Sequence, residues 1–248
     1  MTTLPTIVLV HGMWHGSWAW ERVATLLEAA GHPCVQVTLP GKDRSPGDPT
    51  FRGHCHHLSR VLAGVRGDVV LVGHSYSGAL LTEVGDAGNV RAMVFVSAFC
   101  LEPGESVASV NDAEAGSQAG KDDIRQVGDY LVIDPDIARN AFYHDCTPAD
   151  AARAVERLTP EHAGTRVAVV SNAAWRTVPS HFVVCTLDRA CTPEVQRMMA
   201  SRVESSSELV SSHSPMVSVP RALARTIIDV ASRHRGTAQR GHEPEHTS

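Results

Sequence analysis

Ser75, Asp188 and His213 stand in an order and in local settings that suit nucleophilic acyl chemistry. Ser75 lies in Val69-Val-Leu-Val-Gly-His-Ser-Tyr-Ser-Gly78, where an apolar run gives way to small residues. That is the signature of a strand turning sharply into a helix with a serine at the bend. The closing glycine of the usual G-x-S-x-G pattern is replaced here by Ser77, with Gly78 one place later. A serine hydroxyl becomes a useful nucleophile only when a base takes its proton, and the base must itself be oriented by a third group. Asp188 follows the apolar run Phe182-Val-Val-Cys-Thr186, and His213 sits in Ser212-His-Ser-Pro-Met216 after a short strand over 207–210. Both fall beyond the carboxyl ends of strands, where open α/β sheets bind their ligands. Taken singly, Asp188 also reads as a solvated loop acid or a partner of Arg189, and His213 as one of 14 histidines in a structural role. Jointly, in the order Ser, Asp, His, they read as nucleophile, orienting acid and base. Asp43, Asp48 and Asp134 are weaker acid candidates, because none closes a strand in the required place.

The charge that develops on a carbonyl oxygen during attack calls for two N–H donors. One is expected from Tyr76, the residue after the nucleophile, and the other is assigned to Met13 in the loop His11-Gly-Met-Trp-His-Gly16. Gly12 lets that backbone come close, although a plain tight turn is compatible with the same glycines. The ring of Tyr76 is expected to narrow the pocket. Gly12, Trp14, Trp175 and Met216 are the substrate-binding candidates, with plain core packing as the alternative for the large apolar ones. No metal site is expected: His54-Cys-His-His57 is placed on an exposed helix without a converging acid, and His242 and His246 in a loose tail. The segment from Gly73 to Gly78 lacks GxGxxG spacing and a following lysine, so no nucleotide, and no cofactor, is expected.

The elements that must position these groups follow an α/β rhythm. Thr6-Ile-Val-Leu-Val10 reads as a strand covered on both faces, and a helix capped by Ser17 runs to about Ala30 with Gly31 as its stop. Further strands are expected over 34–39, 68–72, 92–97 and 181–186, with helices over 51–62 and from Ser75 to about Val84. Strands alternating with helices mean a largely parallel sheet flanked by helices. The rhythm breaks between Cys100 and Pro179, where 111–123 reads as a surface loop and 135–142 and 148–158 as helices. Residues 1–99 and 180–232 are therefore read as the α/β core, 100–179 as a helical cap insertion, and 233–248, poor in apolar residues, as a disordered tail.

Composition excludes other classes. The 248 residues are 43% hydrophobic and 20% charged with a formal charge of -5, which suits a soluble domain and argues against nucleic acid as a partner. The 20 arginines and 2 lysines are scattered rather than clustered, a bias that points to a GC-rich, bacterial genome. No apolar stretch is long enough for a membrane span, and the first residues lack a signal peptide's basic region, so a cytoplasmic location is expected. Six cysteines without CxxC spacing suggest small buried hydrophobes rather than disulfides or zinc ligands. The residues leave the oligomeric state open, a homodimer included.

With Val10-His-Gly-Met-Trp-His-Gly-Ser-Trp18, Leu26-Leu-Glu-Ala-Ala-Gly-His32, Gly73-His-Ser-Tyr76, Val184-Cys-Thr-Leu-Asp188 and His213-Ser-Pro-Met216, the chain resembles the α/β-hydrolase superfamily over about residues 5–232. Within it, the similarity is to the branch of methyl-salicylate esterases, hydroxynitrile lyases and bacterial small-molecule esterases. The resemblance implies the triad Ser75, Asp188 and His213, the Met13 and Tyr76 amides, no cofactor, and a small-molecule ester or thioester as substrate. Lyases of this branch carry a threonine after the first-strand histidine and a lysine after the catalytic histidine, where this chain has Gly12 and Ser214. Hydrolysis is therefore the expectation. A tailoring step of specialised metabolism in a water-excluding site, and a catalytically silent ligand-binding fold, are the competing readings.

Overall fold

The computed structural model describes residues 4–42, 45–113 and 124–234. The first half of the chain runs β1 (Thr6–Val10), a 3-10 turn at Ser17–Trp20, α1 (Glu21–Ala29), β2 (Cys34–Val37), α2 (Phe51–Gly64), β3 (Val69–His74), α3 (Ser77–Val84) and β4 (Val90–Val96). An insertion follows, with α4 (Val107–Ala113), β5 (Ile124–Val127), β6 (Tyr130–Ile133), α5 (Pro135–Phe142), α6 (Pro148–Glu156), β7 (Glu161–His162) and α7 (Gly164–Val167). The chain then returns to the core through β8 (Ser180–Cys185), α8 (Pro193–Ala200), β9 (Ser205–Leu209), α9 (Pro215–Ser218) and α10 (Pro220–Arg233).

Among the described residues, six strands form one parallel sheet in the order β2-β1-β3-β4-β8-β9. The aliphatic runs of β1, β3, β4 and β8 are buried on both faces, as expected where helices cover a parallel sheet from either side. Each such Val, Leu or Ile contributes about 1.5–3 kcal/mol by leaving water. Edge strand β9 is polar, and its Ser205 and Ser207 hydroxyls flank the two ring nitrogens of His181 at 2.8 and 2.9 Å.

Register decides which loops meet. Val10 lies opposite Gly73, His74 opposite Val96, Val96 opposite Val183, and Cys185 opposite Leu209. Five strands thus end side by side, and the chain leaves them through Gly12, Ser75, Ser97, Asp188 and His213 in turn.

Several expectations need correction. Ser17 does not cap a helix; its hydroxyl accepts from the Thr38 hydroxyl at 2.8 Å, and α1 starts only at Glu21. Helix α3 begins at Ser77 rather than Ser75, because Ser75 is the bend itself. The cap is not purely helical: β5, β6 and β7 form a three-stranded antiparallel sheet within it. His54 is fully buried rather than exposed, since its ring nitrogens meet the Tyr76 hydroxyl at 2.9 Å and the Pro40 carbonyl at 3.0 Å. Of the expected loop over 111–123, residues 111–113 close α4 and the rest lies outside the described residues. Of the expected tail, Arg233 ends α10 and 235–248, with His242 and His246, lie outside them too. No helix among the described residues is long and apolar enough to cross a membrane.

Candidate active site

Three non-glycine residues among those described have positive φ: Trp14 at 60°, Ser75 at 53° and Ser97 at 45°. A left-handed conformation costs an L-residue roughly 1–2 kcal/mol, so it persists only where the surroundings hold it. All three lie at the sheet edge described above. The Ser75 amide donates to the Val96 carbonyl at 3.2 Å, and its carbonyl accepts from Gly78 and Phe99 at 3.0 and 3.1 Å. The displaced glycine of the motif is explained by the last contact: a Cβ at Gly78 would lie 2.6 Å from the Phe99 nitrogen. Ser77 is tolerated because its buried hydroxyl lies 2.9 Å from the Val10 carbonyl and 2.8 Å from that of His74, and donates there.

Asp188 and His213 come together as expected, with Nδ1 of the imidazole 2.7 Å from Oδ2 of the carboxylate and both side chains buried. Asp188 is held on every side. Its Oδ1 accepts from the Ala190 and Cys191 amides at 2.7 and 3.0 Å, and its Oδ2 from Gln196 Nε2 at 2.8 Å and from the Ser97 hydroxyl. A carboxylate oxygen can only accept, so Nδ1 of His213 carries the proton and Nε2 is left with a lone pair. Ser97 and Gln196 are absent from the sequence-based set. Gln196 also accepts from the Cys185 amide at 2.8 Å and donates to the Cys191 carbonyl at 2.7 Å, which fixes the loop carrying Asp188.

His213 is further backed by His74, whose Nε2 lies 2.8 Å from the His213 carbonyl. Burial pushes the His74 imidazole well below its ordinary pKa, helped by the neighbouring His213. It is therefore neutral, with Nε2 as its donor and Nδ1 unpartnered among the described residues. Phe142 from the cap tilts over His213 with ring centroids 5.4 Å apart.

Ser75, His213, Met13 and Trp14 line one cavity of about 50 Å³. Its other walls are mostly apolar, with Phe99, Ile133 and Phe142 among them, and Asn111 and Arg166 add polarity. Cys191 also reaches it, but burial and the nearby Asp188 charge hold its thiol well above the ordinary range, which disfavours a competing thiolate nucleophile. A larger groove of about 350 Å³ between α1 and α6 contains Met216 but neither Ser75 nor His213.

The loop after β1 is clamped peptide by peptide. The His11 Nδ1 meets the Gly12 carbonyl at 2.9 Å while its Nε2 accepts from the Leu39 amide at 3.2 Å. The His15 Nδ1 meets the Met13 carbonyl at 2.7 Å, leaving Nε2 to accept from the Tyr143 hydroxyl at 2.8 Å. Burial lowers both imidazoles to about 3, so both are neutral and Nδ1 donates in each. A trans peptide points its C=O and N–H in opposite directions. Tethering the Gly12 carbonyl therefore turns the Met13 N–H away from His11. Neither the Met13 nor the Tyr76 amide has a hydrogen-bond partner among the described residues. Gly12 is required here, because a Cβ would sit 2.8 Å from His74 Nδ1 and 2.9 Å from Ser75 Cβ.

Other expected site residues fall elsewhere. Tyr76 does not narrow the cavity: its ring is buried against Phe51 and His54. Trp175 packs outside it, with its indole donating to the Leu101 carbonyl at 2.8 Å, and Met216 is fully buried beside α1. Asp48 and Asp134 serve local turns, Asp134 as the N-cap of α5, while Asp43 lies outside the described residues. No group of three or more His, Cys, Asp or Glu among the described residues is arranged to hold a metal ion.

Known proteins are similar to this chain over nearly its whole length. Methylesterase 1 of Arabidopsis thaliana is 28% identical over 251 residues, covering 91% of this chain and 95% of the relative. Norfluorocurarine synthase 2 of a Strychnos species is 23% identical over 252 residues, covering 91% and 95%. The crystal structure of polyneuridine aldehyde esterase superposes with a TM-score of 0.80 at 23% identity, covering 92% of this chain and 99% of that one. The model of the alpha/beta hydrolase family matches residues 7–226, and the chain belongs to that family.

Proposed function

We propose that the protein is a cofactor-independent serine hydrolase that cleaves a small-molecule carboxylic ester or thioester. The observation that carries this reading is the buried Asp188–His213 pair on a cavity that also holds the strained Ser75. In the first half-reaction the Ser75 oxygen bonds to the carbonyl carbon while Nε2 of His213 takes the hydroxyl proton. The oxyanion is received by the Met13 and Tyr76 amides, and Asp188 stabilises the imidazolium. Collapse breaks the bond to the alcohol or thiol, which leaves with the proton from His213. In the second half, water gives a proton to His213 and its oxygen to the acyl carbon, and Ser75 leaves reprotonated beside a free acid. The small apolar cavity suits a compact acyl group.

Fluorophosphonate labelling with peptide mapping tests the assignment. Modification of Ser75, and loss of turnover toward a panel of short acyl esters in Ser75→Ala, are expected; a Ser75→Ala chain with native turnover refutes it. The synthase name of the Strychnos relative favours a second reading, in which the same site performs a non-hydrolytic tailoring step. Solvent oxygen-18 appearing in the product acid supports hydrolysis, and its absence with the natural substrate supports the alternative. Gly12 and Ser214, where the lyases of this branch have threonine and lysine, weigh toward hydrolysis.

A further inference from the structure

We infer that Glu161, a residue of the cap, is a positioning residue for the oxyanion site, an inference that rests on the hydrolase reading above. The peptide between Met13 and Trp14 is held at both ends: His15 takes its carbonyl, and its N–H donates to Oε2 of Glu161 at 3.2 Å. The same oxygen lies 2.8 Å from Nζ of Lys42, and each side chain is only 2% exposed. Lys42 also donates to the Pro160 carbonyl at 2.7 Å. Trp14 meets the cap twice more, and one of those contacts leads back to Glu161. Its indole donates to the Leu131 carbonyl at 3.1 Å, Leu131 pairs with Glu161 across the β6–β7 ladder, and the Thr159 amide donates to the Trp14 carbonyl at 2.9 Å.

Trp14 is one of the strained residues of the site, and the amide next to it in the chain is that of Met13. A buried N–H without an acceptor is costly, and a residue at φ 60° relaxes when its anchor goes. Glu161 is thus the cap's hold on the loop that presents the Met13 amide, and Lys42 is the counter-charge that makes a buried carboxylate tolerable there. Among the contacts that join cap and loop, this one acts on the peptide that follows the Met13 amide.

The test compares two double variants that both lack the ion pair and differ in one acceptor. Lys42→Met with Glu161→Gln keeps an oxygen for the Trp14 amide, and Lys42→Met with Glu161→Leu does not. Turnover, KM and the rate of fluorophosphonate labelling are measured on each, with thermal melts as the control for folding. The leucine chain is expected to lose about tenfold to a hundredfold in kcat and labelling rate at little changed KM, less than the roughly 10²–10³ of deleting a donor outright. The glutamine chain is expected to stay within about threefold of wild type, since the acceptor survives. Equal rates in the two doubles, with wild type labelled at Ser75, overturn the inference alone; a wild-type chain that does not label overturns the hydrolase reading and this inference with it. If the leucine double does not fold, Glu161→Ala with added formate decides: restored turnover supports the role, and no restoration overturns it.

Discussion

Neutral buried histidines around the site make the protein acid-sensitive in a defined window. Burial holds His11 and His15 near 3, against an ordinary value of 6.5 that each regains on unfolding. Because the folded value is depressed, their contribution to stability is complete above 6.5 and is lost progressively as pH falls toward 3. From pH 7 to pH 5 an unfolded-state histidine of pKa 6.5 gains about 2 kcal/mol from protonation, so the two together remove about 4 kcal/mol of stability. His74 is shifted in the same direction by the same cause and adds to this. A domain's total stability is about 5–15 kcal/mol, so about a quarter of the margin or more goes before the carboxylates begin to titrate. Urea unfolding followed by tryptophan fluorescence at pH 7, 6, 5.5 and 5 measures the slope. His15→Gln isolates one group: glutamine can donate to the Met13 carbonyl and accept from Tyr143, but does not titrate. Its stability is expected to fall by about 2 kcal/mol less than wild type between pH 7 and pH 5, whatever the other groups contribute. A wild-type stability flat over this interval, or an identical slope in the variant, would refute the reasoning.

Asp188→Asn should place its amide oxygen toward the Ala190 and Cys191 N–H groups and its NH2 toward His213, forcing the proton onto Nε2. The expected loss in kcat is roughly 10⁴-fold, measured by steady-state ester hydrolysis, and a loss below tenfold would contradict the base assignment. Gly12→Thr drives a side chain into His74 and Ser75; about 1–3 kcal/mol of stability and most turnover should go, and a fully active variant would show that the loop is not held as described. Gln196→Leu orphans the Cys185 amide and the Cys191 carbonyl and removes a donor from Asp188. Destabilisation of about 3 kcal/mol or more is expected in urea titrations, and a change within error would mean the Asp188 loop is held by other contacts.

The parts of the site that the sequence showed were those set by local punctuation. Ser75 follows an aliphatic run and precedes small residues, Asp188 closes another such run, and the parallel register carries both to one edge. The rest of the site depends on contacts across the fold. Ser97 and Gln196 carry no local pattern, and their roles appear only once β4 and α8 pack beside the Asp188 loop. The direction of the Tyr76 ring is likewise set across the fold, since its hydroxyl is drawn to His54 on α2, and residue type alone does not separate Trp175 and Met216 from core. The cap hairpin is different. Gly128-Asp129 between Ile124–Val127 and Tyr130–Ile133 is a two-residue turn signal, with Gly128 at φ 58°, and was readable.

Ser77 has a consequence for motion. Its hydroxyl bonds to the carbonyls at the ends of β1 and β3 join the loop after β1 to the serine bend. Local opening that exposes one must also release the other, so the amides flanking both should exchange with deuterium as a single slow unit.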